Sequence, residues 1–132
     1  LMRRHELPAE LAAAVFASPL WNELEQEPPK RRALLTALRQ TYGSLLMNGP
    51  FTIIVARQGE LMGLSDRIRL RPLVAATQGD VLYVSSELAS IHLVAPGLER
   101  TWMPEGGEPV IGRLGQAPRI PARMLQEEPI HA

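Results

Sequence analysis

Three arginines in the stretch LSDRIRLRPLVAATQGDVLYVSSE, residues 64–87, have the residue type and spacing of a binding surface. Arg67, Arg69 and Arg71 alternate with apolar residues, so a strand would place all three guanidinium groups on one face. Guanidinium groups bind carboxylates or phosphates through two parallel hydrogen bonds. The pattern therefore has two interpretations: a binding stripe for an acidic ligand, or a sheet margin with structural ion pairs. We favour the sheet margin and expect Arg71 to be structural.

The remaining polar residues do not combine into recognisable catalytic machinery. The chain has no cysteine, which excludes disulfides, thiolate zinc sites and a cysteine nucleophile within these residues. Glu23, Glu25 and Glu27 alternate in a hydrophilic segment. Catalytic carboxylates need burial or a neighbouring like charge to shift their pKa values, so we expect these three to be solvated. The same expectation applies to Glu127 and Glu128.

Histidine spacing and overall composition exclude further classes. His5, His92 and His131 lie far apart, which argues against a metal site. The 132 residues carry zero formal net charge and a pI near 7.1, which argues against a nucleic-acid-binding protein. No apolar run is long enough to cross a bilayer, and no signal peptide opens the sequence. We therefore expect a cytoplasmic protein without cofactor, nucleic-acid or membrane partner. Because the first residue is leucine, we also expect the native polypeptide to begin upstream.

The first fifty residues have helical periodicity. We predict a helix from about Pro8 to Pro19, a short helical turn in WNELEQEPPK, and a long helix from about Lys30 to Met47. The dipeptide Asn48-Gly49 before a proline ends the long helix. We expect one face of the long helix to contact the sheet that follows it. The residues predicted on that face are Leu34, Leu38, Tyr42 and Leu45.

After Pro50 the period changes from 3.6 to 2, which is typical of strands. The pattern predicts four strands in two hairpins, FTIIVA with LMGLSD and PLVAAT with VLYVSS, then a short helix in SELASIHLV that Ser86 could cap. ERTWM and PVIGRL are predicted to be two further strands, and residues 115–132 an extended tail or linker. The predicted fold class is α+β, with two helices followed by an antiparallel meander. FTIIVA is apolar at nearly every position, so we expect atoms from outside the chain to cover it.

The order DRIRLRPL, strand hairpin, VSSELASI resembles class II (N-terminal-nucleophile) glutamine amidotransferase domains. In that family an aspartate-arginine turn leads to a GxRPL-like element, an apolar hairpin and an ASE element that opens a short helix. The resemblance is to the glutamate synthase type and covers roughly residues 1–114. One departure is that Ile68 and Arg69 occupy the neighbourhood of the family's usual glycine. The matching residues are Asp66, Arg67, Leu70, Arg71, Pro72, Leu73, Ser86 and Glu87.

This resemblance implies half of a four-layer α-β-β-α sandwich and a role in hydrolysing glutamine to glutamate, with the ammonia passed to a synthase partner. The family's nucleophile is a cysteine at the mature N-terminus, and its other catalytic residues lie upstream of Leu1. We therefore assign no catalytic residue to this sequence. The implied partners are glutamine and a missing N-terminal half, a second copy or a synthase subunit. The alternative is a non-catalytic relative that acts in assembly or regulation.

Overall fold

Three helices precede the first strand in the computed structural model, which describes residues 1–125 of the chain. The helices are α1 (Ala9–Phe16), α2 (Trp21–Glu25), α3 (Pro29–Tyr42), α4 (Leu88–Val94) and α5 (Ala122–Leu125). The strands are β1 (Thr52–Arg57), β2 (Glu60–Ser65), β3 (Val74–Gln78), β4 (Val81–Ser85), β5 (Arg100–Trp102) and β6 (Val110–Arg113). The expectations for Glu127, Glu128 and His131 concern residues outside the described part.

The six strands form two antiparallel three-stranded sheets. In sheet A the order is β1-β2-β6, and in sheet B it is β4-β3-β5. The α+β prediction is confirmed at the level of helices followed by antiparallel strands. The prediction of a single antiparallel meander was wrong. Strand β6 does not pair with the preceding strand β5 but with β2 of the other sheet, where Glu60 lies opposite Arg113.

The two sheets pack face to face, with a helix on each outer side. Gly63 of β2 lies so close to sheet B that an added Cβ atom would stand 2.8 Å from a methyl group of Val84. On the outer face of sheet A, Ala13 of α1 packs in one cluster with Met62 and Leu64. On the outer face of sheet B, Ile91 of α4 packs in the same cluster as the β3 residues. The order of layers is therefore helix, sheet, sheet, helix.

Helix α3 packs against helices instead of against a sheet, which corrects one prediction. Its buried residues Leu35 and Leu38 form a cluster with Val15 of α1 and Leu24 of α2. Helix α1 is thus the element that covers sheet A, and α3 lies outside it. As a result, Leu34 and Leu45 are 43% and 44% exposed. Tyr42 is half-buried, and its hydroxyl forms a 3.0 Å hydrogen bond with Nδ1 of His5.

Two further local expectations differ from the structure. Ser86 does not cap α4; the residue before the helix is Glu87, and its amide donates to the hydroxyl of Ser85 at 3.2 Å. The segment expected to be an extended tail contains the helical turn α5. Ile120 lies just before that helical turn and Met124 lies within it. Both side chains pack against the core between the sheets. Residues 115–125 are therefore in contact with the sandwich.

Strand β1 is an edge strand with an uncovered apolar side chain. Ile53 and Val55 pack toward α1, whereas Ile54 on the opposite face is 53% exposed. Sheet B covers this inner face at β2 and β6 but leaves Ile54 open. The expectation that atoms from outside the chain cover FTIIVA stays a prediction, and the exposure of Ile54 is the physical reason for it.

Candidate functional site

The residues that match the first sequence motif form a turn around a buried carboxylate. Asp66 is 2% exposed at the end of β2. Its two side-chain oxygens accept hydrogen bonds from three backbone amides: Leu70 at 2.9 Å, Arg71 at 3.1 Å and Phe51 at 3.2 Å. The Asp66 carbonyl accepts a fourth, from the Arg69 amide at 2.9 Å. One side chain therefore fixes the path of the backbone from 66 to 71.

These hydrogen bonds determine the charge state of Asp66. Burial is the largest single influence and favours the neutral acid. The amides of Leu70, Arg71 and Phe51 oppose it, because each donates to the charged carboxylate. Together the amides outweigh burial, so the pKa of Asp66 lies below its ordinary value. At neutral pH Asp66 is therefore a charged carboxylate, and its charge is stabilised by the dipoles of backbone amides instead of by an arginine.

The turn corrects the prediction that the three arginines lie along one face of a strand. Residues 66–73 contain no strand pairing, and Arg69 has a φ of +56°. A left-handed conformation costs a residue with a Cβ atom about 1–2 kcal/mol, whereas glycine adopts it readily. Counting back from Arg71-Pro72-Leu73, Arg69 stands where GxRPL has its glycine. The backbone at Arg69 therefore has a conformation that is typical of glycine, although the residue is an arginine.

The three arginines have different surroundings. The guanidinium group of Arg67 donates to the Ser18 carbonyl at 3.2 Å and joins the turn to the end of α1. Arg69 and Arg71 are exposed, and so are the apolar side chains between and before them, Ile68 at 58% and Leu70 at 57%. Among residues 1–125, no carboxylate forms an ion pair with any of the three arginines. The predicted structural ion pairs are therefore absent from the described part.

Gly106 and Gly107, a pair whose sequence context does not fit a dinucleotide-binding loop, close the other side of the turn. A Cβ atom on Gly106 would overlap the Arg67 carbonyl oxygen, and Gly107 has a φ of +74°. The Gly107 amide donates to the Ser65 carbonyl at 3.3 Å. The signal in the sequence was the adjacent glycines themselves, since only residues without a Cβ atom permit such a close backbone approach.

A polar cleft of about 400 Å³ lies beside the turn. Its walls come from Arg67, the two glycines, the end of α1 and the α2 region. Glu23 and Glu27, which were predicted to be solvated, line it together with Arg67. Glu23 also accepts a hydrogen bond from the Leu20 amide at 2.8 Å, and Glu27 pairs with Arg31 at 3.2 Å. The cleft therefore brings both signs of charge to one surface.

The second sequence motif, Ser86-Glu87, lies later in the chain than the motif that begins at Asp66. It follows a strand of sheet B, whereas the first motif follows a strand of sheet A. Ser86 and Glu87 are exposed between β4 and α4, in sheet B's layer. Pro72 connects the first motif to sheet A, because its carbonyl accepts the hydroxyl of Thr52 at 3.0 Å. Leu73 is buried between the sheets. The structure thus gathers Asp66, Arg67, Arg71 and Pro72 in one turn and leaves the second motif at a separate helix start.

An arginine with two glutamates joins α1 to sheet A. Arg113 of β6 donates to Glu60 of β2 at 2.7 Å and to Glu10 of α1 at 3.0 Å. Burial, the largest influence on Glu10, favours its neutral form, but hydrogen bonds and the charge of Arg113 lower its pKa below the ordinary value. This ion-pair network holds α1 against sheet A and includes no residue of the turn around Asp66.

The contacts of the turn hold its backbone in position through the Asp66 carboxylate. Among residues 1–125, no group of three histidine, aspartate or glutamate side chains is arranged to hold a metal ion. Ser65, next to Asp66, is fully buried and its hydroxyl has no hydrogen-bond partner within that part of the chain. The described helices are all too short or too polar to cross a membrane.

Comparison with known proteins gives one close relative. A protein of Archaeoglobus fulgidus, described as an uncharacterized protein, is 49% identical over 127 residues. The match covers 96% of this chain and 34% of the relative. The chain therefore spans about a third of the relative's length. No protein-family model and no solved structure matches the chain.

Proposed function

We propose that residues 1–114 are the C-terminal half of a class II (N-terminal-nucleophile) glutamine amidotransferase domain of glutamate synthase type. The observation that carries this proposal is the conformation of Arg69. The family's pattern usually has a glycine in the neighbourhood of Ile68 and Arg69, and Arg69 has a φ of +56°, in the left-handed region that glycine adopts readily. The one departure from the family's pattern therefore leaves the expected backbone of the turn intact.

The arrangement of layers supports the same proposal. The family fold is a four-layer α-β-β-α sandwich, and helix α1, two antiparallel sheets and helix α4 occur here in that order. Each sheet has three strands, and Ile54 lies uncovered on the inner face of an edge strand. Additional strands from the other half of the domain would cover it.

In this function the chain is scaffold. The complete domain hydrolyses glutamine to glutamate, and the ammonia goes to a glutamate-synthase-type partner. The nucleophile and the groups that bind glutamine come from residues outside this sequence, so no residue here is assigned a catalytic role. The contribution of Asp66 is to hold the turn at the end of β2 in a fixed shape.

A non-catalytic amidotransferase-like subunit, acting in assembly or regulation, is the second candidate. These 132 residues contain no cysteine under either candidate, so what distinguishes the two is whether the encoded polypeptide carries a cysteine nucleophile elsewhere. Both candidates use the same turn and the same layers.

The test is glutamine hydrolysis by the full polypeptide that the gene encodes, measured as ammonia release. We expect hydrolysis of glutamine and not of asparagine, and loss of hydrolysis when a cysteine following the initiator methionine is replaced by alanine. A folded full polypeptide that releases no ammonia, with no such cysteine, contradicts the enzymatic proposal and favours the assembly subunit. Asp80→Ala, in the exposed turn between β3 and β4, is the control and leaves the rate unchanged.

A further inference from the structure

Two oppositely charged surfaces lie side by side at the polar cleft. One is the arginine turn, residues 67–71, which carries three arginines and the exposed side chains of Ile68 and Leu70. The other is the acidic segment, residues 21–27, which carries three glutamates and the side chain of Trp21, 57% exposed. Arg67 from the first and Glu23 and Glu27 from the second line the same cleft. The two surfaces are therefore neighbours on one side of the molecule.

The two surfaces do not neutralise each other within the chain. Residues 1–125 contain no ion pair between an arginine of the turn and a glutamate of the segment. Arg67 instead donates to a backbone carbonyl, and Glu25 is exposed. Within the acidic segment Glu27 pairs with Arg31 and the Trp21 ring lies under Arg39. On these two surfaces, the exposed charges without an ion pair among residues 1–125 are Glu23 and Glu25 on the segment and Arg69 and Arg71 on the turn.

We infer that this side of the molecule binds a second copy of the chain about a two-fold axis. A two-fold contact uses the same patch on both copies, so the patch must be complementary to itself. Here three arginines and three glutamates lie next to each other, each set with exposed apolar side chains. Rotation by 180° places the arginine turn of each copy against the acidic segment of the other.

The rigidity and composition of the turn favour a protein partner. Asp66 fixes the turn through three backbone amides, so little ordering remains to be done on binding. Arginine is enriched in protein interfaces, and Ile68 and Leu70 supply apolar area that a phosphate backbone would leave exposed. An interface of ordinary size buries about 800 Å² on each partner, close to a tenth of this chain's 8750 Å².

Charge reversal with complementation tests the inference. In the full polypeptide, one variant carries Arg69→Glu and Arg71→Glu, and the other carries Glu25→Arg and Glu27→Arg. Sedimentation equilibrium should give a dimer for the unchanged protein and a dissociation constant about tenfold higher, or more, for each variant alone. An equimolar mixture of the two variants should recover the dimer, because in the mixed dimer the glutamate-bearing turn of one variant faces the arginine-bearing segment of the other, and the two unchanged surfaces face each other.

The controls keep the inference open to refutation. Arg3→Glu with Arg4→Glu reverses two arginines at exposed sites outside the patch and should leave the dissociation constant unchanged. Circular dichroism checks the fold of each variant, and if one is unfolded, the dimer of the unchanged protein must still weaken as salt is added. A monomer at about 100 μM, a dimer insensitive to both variants or to salt, or a mixture that stays monomeric overturns the inference. Because this readout is assembly and the proposed function is tested by ammonia release, either can fail without the other.

Discussion

Asp66 and Phe51 are joined by two reciprocal hydrogen bonds. The Phe51 amide donates to the Asp66 carboxylate at 3.2 Å, and the Asp66 amide donates to the Phe51 carbonyl at 2.9 Å. Phe51 precedes β1 and Asp66 follows β2, so the pair closes the open end of that hairpin. The arginine turn therefore begins from an anchored point on sheet A.

Replacing the Asp66 carboxylate should lower stability and change its dependence on pH. Asp66→Asn removes a charged acceptor and presents an NH2 group to backbone amides, which should cost about 1–3 kcal/mol. Because the folded pKa of Asp66 is below its unfolded value, its stabilisation is complete above about pH 4 and is lost as the pH falls through the folded pKa. Urea denaturation midpoints at several pH values measure both effects. A variant as acid-sensitive as the unchanged protein would contradict the second.

Introducing glycine at Arg69 should raise stability. The left-handed conformation of Arg69 costs about 1–2 kcal/mol, and glycine removes that cost while adding about 0.5–1 kcal/mol of unfolded-state entropy. The expected net gain for Arg69→Gly is therefore up to about 1.5 kcal/mol, measured by chemical denaturation. Ile68→Gly in the same turn is the control and should be destabilising, since Ile68 does not have a positive φ. Loss of stability on Arg69→Gly would argue that the arginine side chain itself is needed.

Leu34 and Leu38 of α3 were both predicted to lie on the packed face, but only Leu38 is buried. Leu38 is 8% exposed and contacts the helix cluster, whereas Leu34 is 43% exposed. Leu38→Ala should cost about 2–5 kcal/mol, and Leu34→Ala less than about 1 kcal/mol. Equal shifts of the denaturation midpoint for the two variants would be inconsistent with the packing of α3 on α1 and α2.

The arginine network between α1 and sheet A should contribute more than an exposed ion pair. Arg113 is 23% exposed and bonds both Glu10 and Glu60, whereas Arg57 is 43% exposed and bonds Glu60 alone. Arg113→Gln should cost about 1–2 kcal/mol and Arg57→Gln less than about 0.5 kcal/mol. Thermal unfolding of the two variants at the same ionic strength gives the comparison.

The chain of 132 residues should release no ammonia from glutamine. The nucleophile of the proposed family is a cysteine with a free α-amino group, and these 132 residues contain no cysteine. The measurement is a coupled ammonia assay on the purified chain, with its mass verified. Activity above that of a heat-denatured sample would mean that some serine or threonine of this chain is the nucleophile.

Local patterns predicted the elements, and long-range contacts decided the rest. The two hairpins followed from period-2 alternation around Gly59 and Gly79, both of which have a positive φ. The face of α3 was wrong because Leu34 and Leu35 both fit helical spacing, and only the position of α1 determines which is buried. The alternation of arginines was wrongly interpreted as a strand. The hydrogen bonds that Asp66 accepts from three backbone amides form a turn there, and the local alternation does not reveal them.

The pairing of β2 with β6 has a consequence for synthesis of the protein. Glu60 and Arg113 are 53 residues apart in the chain, and all of sheet B and α4 lie between them. On a ribosome that adds about 5–20 residues per second, β2 waits roughly 3–10 s for its second neighbour. During that interval the edge of β2 is unpaired, and Met62 and Leu64 are covered by α1 together with Phe51 and the side chains of β1. The early emergence of α1 from the ribosome therefore protects the nascent hairpin from aggregation while the later strands are made.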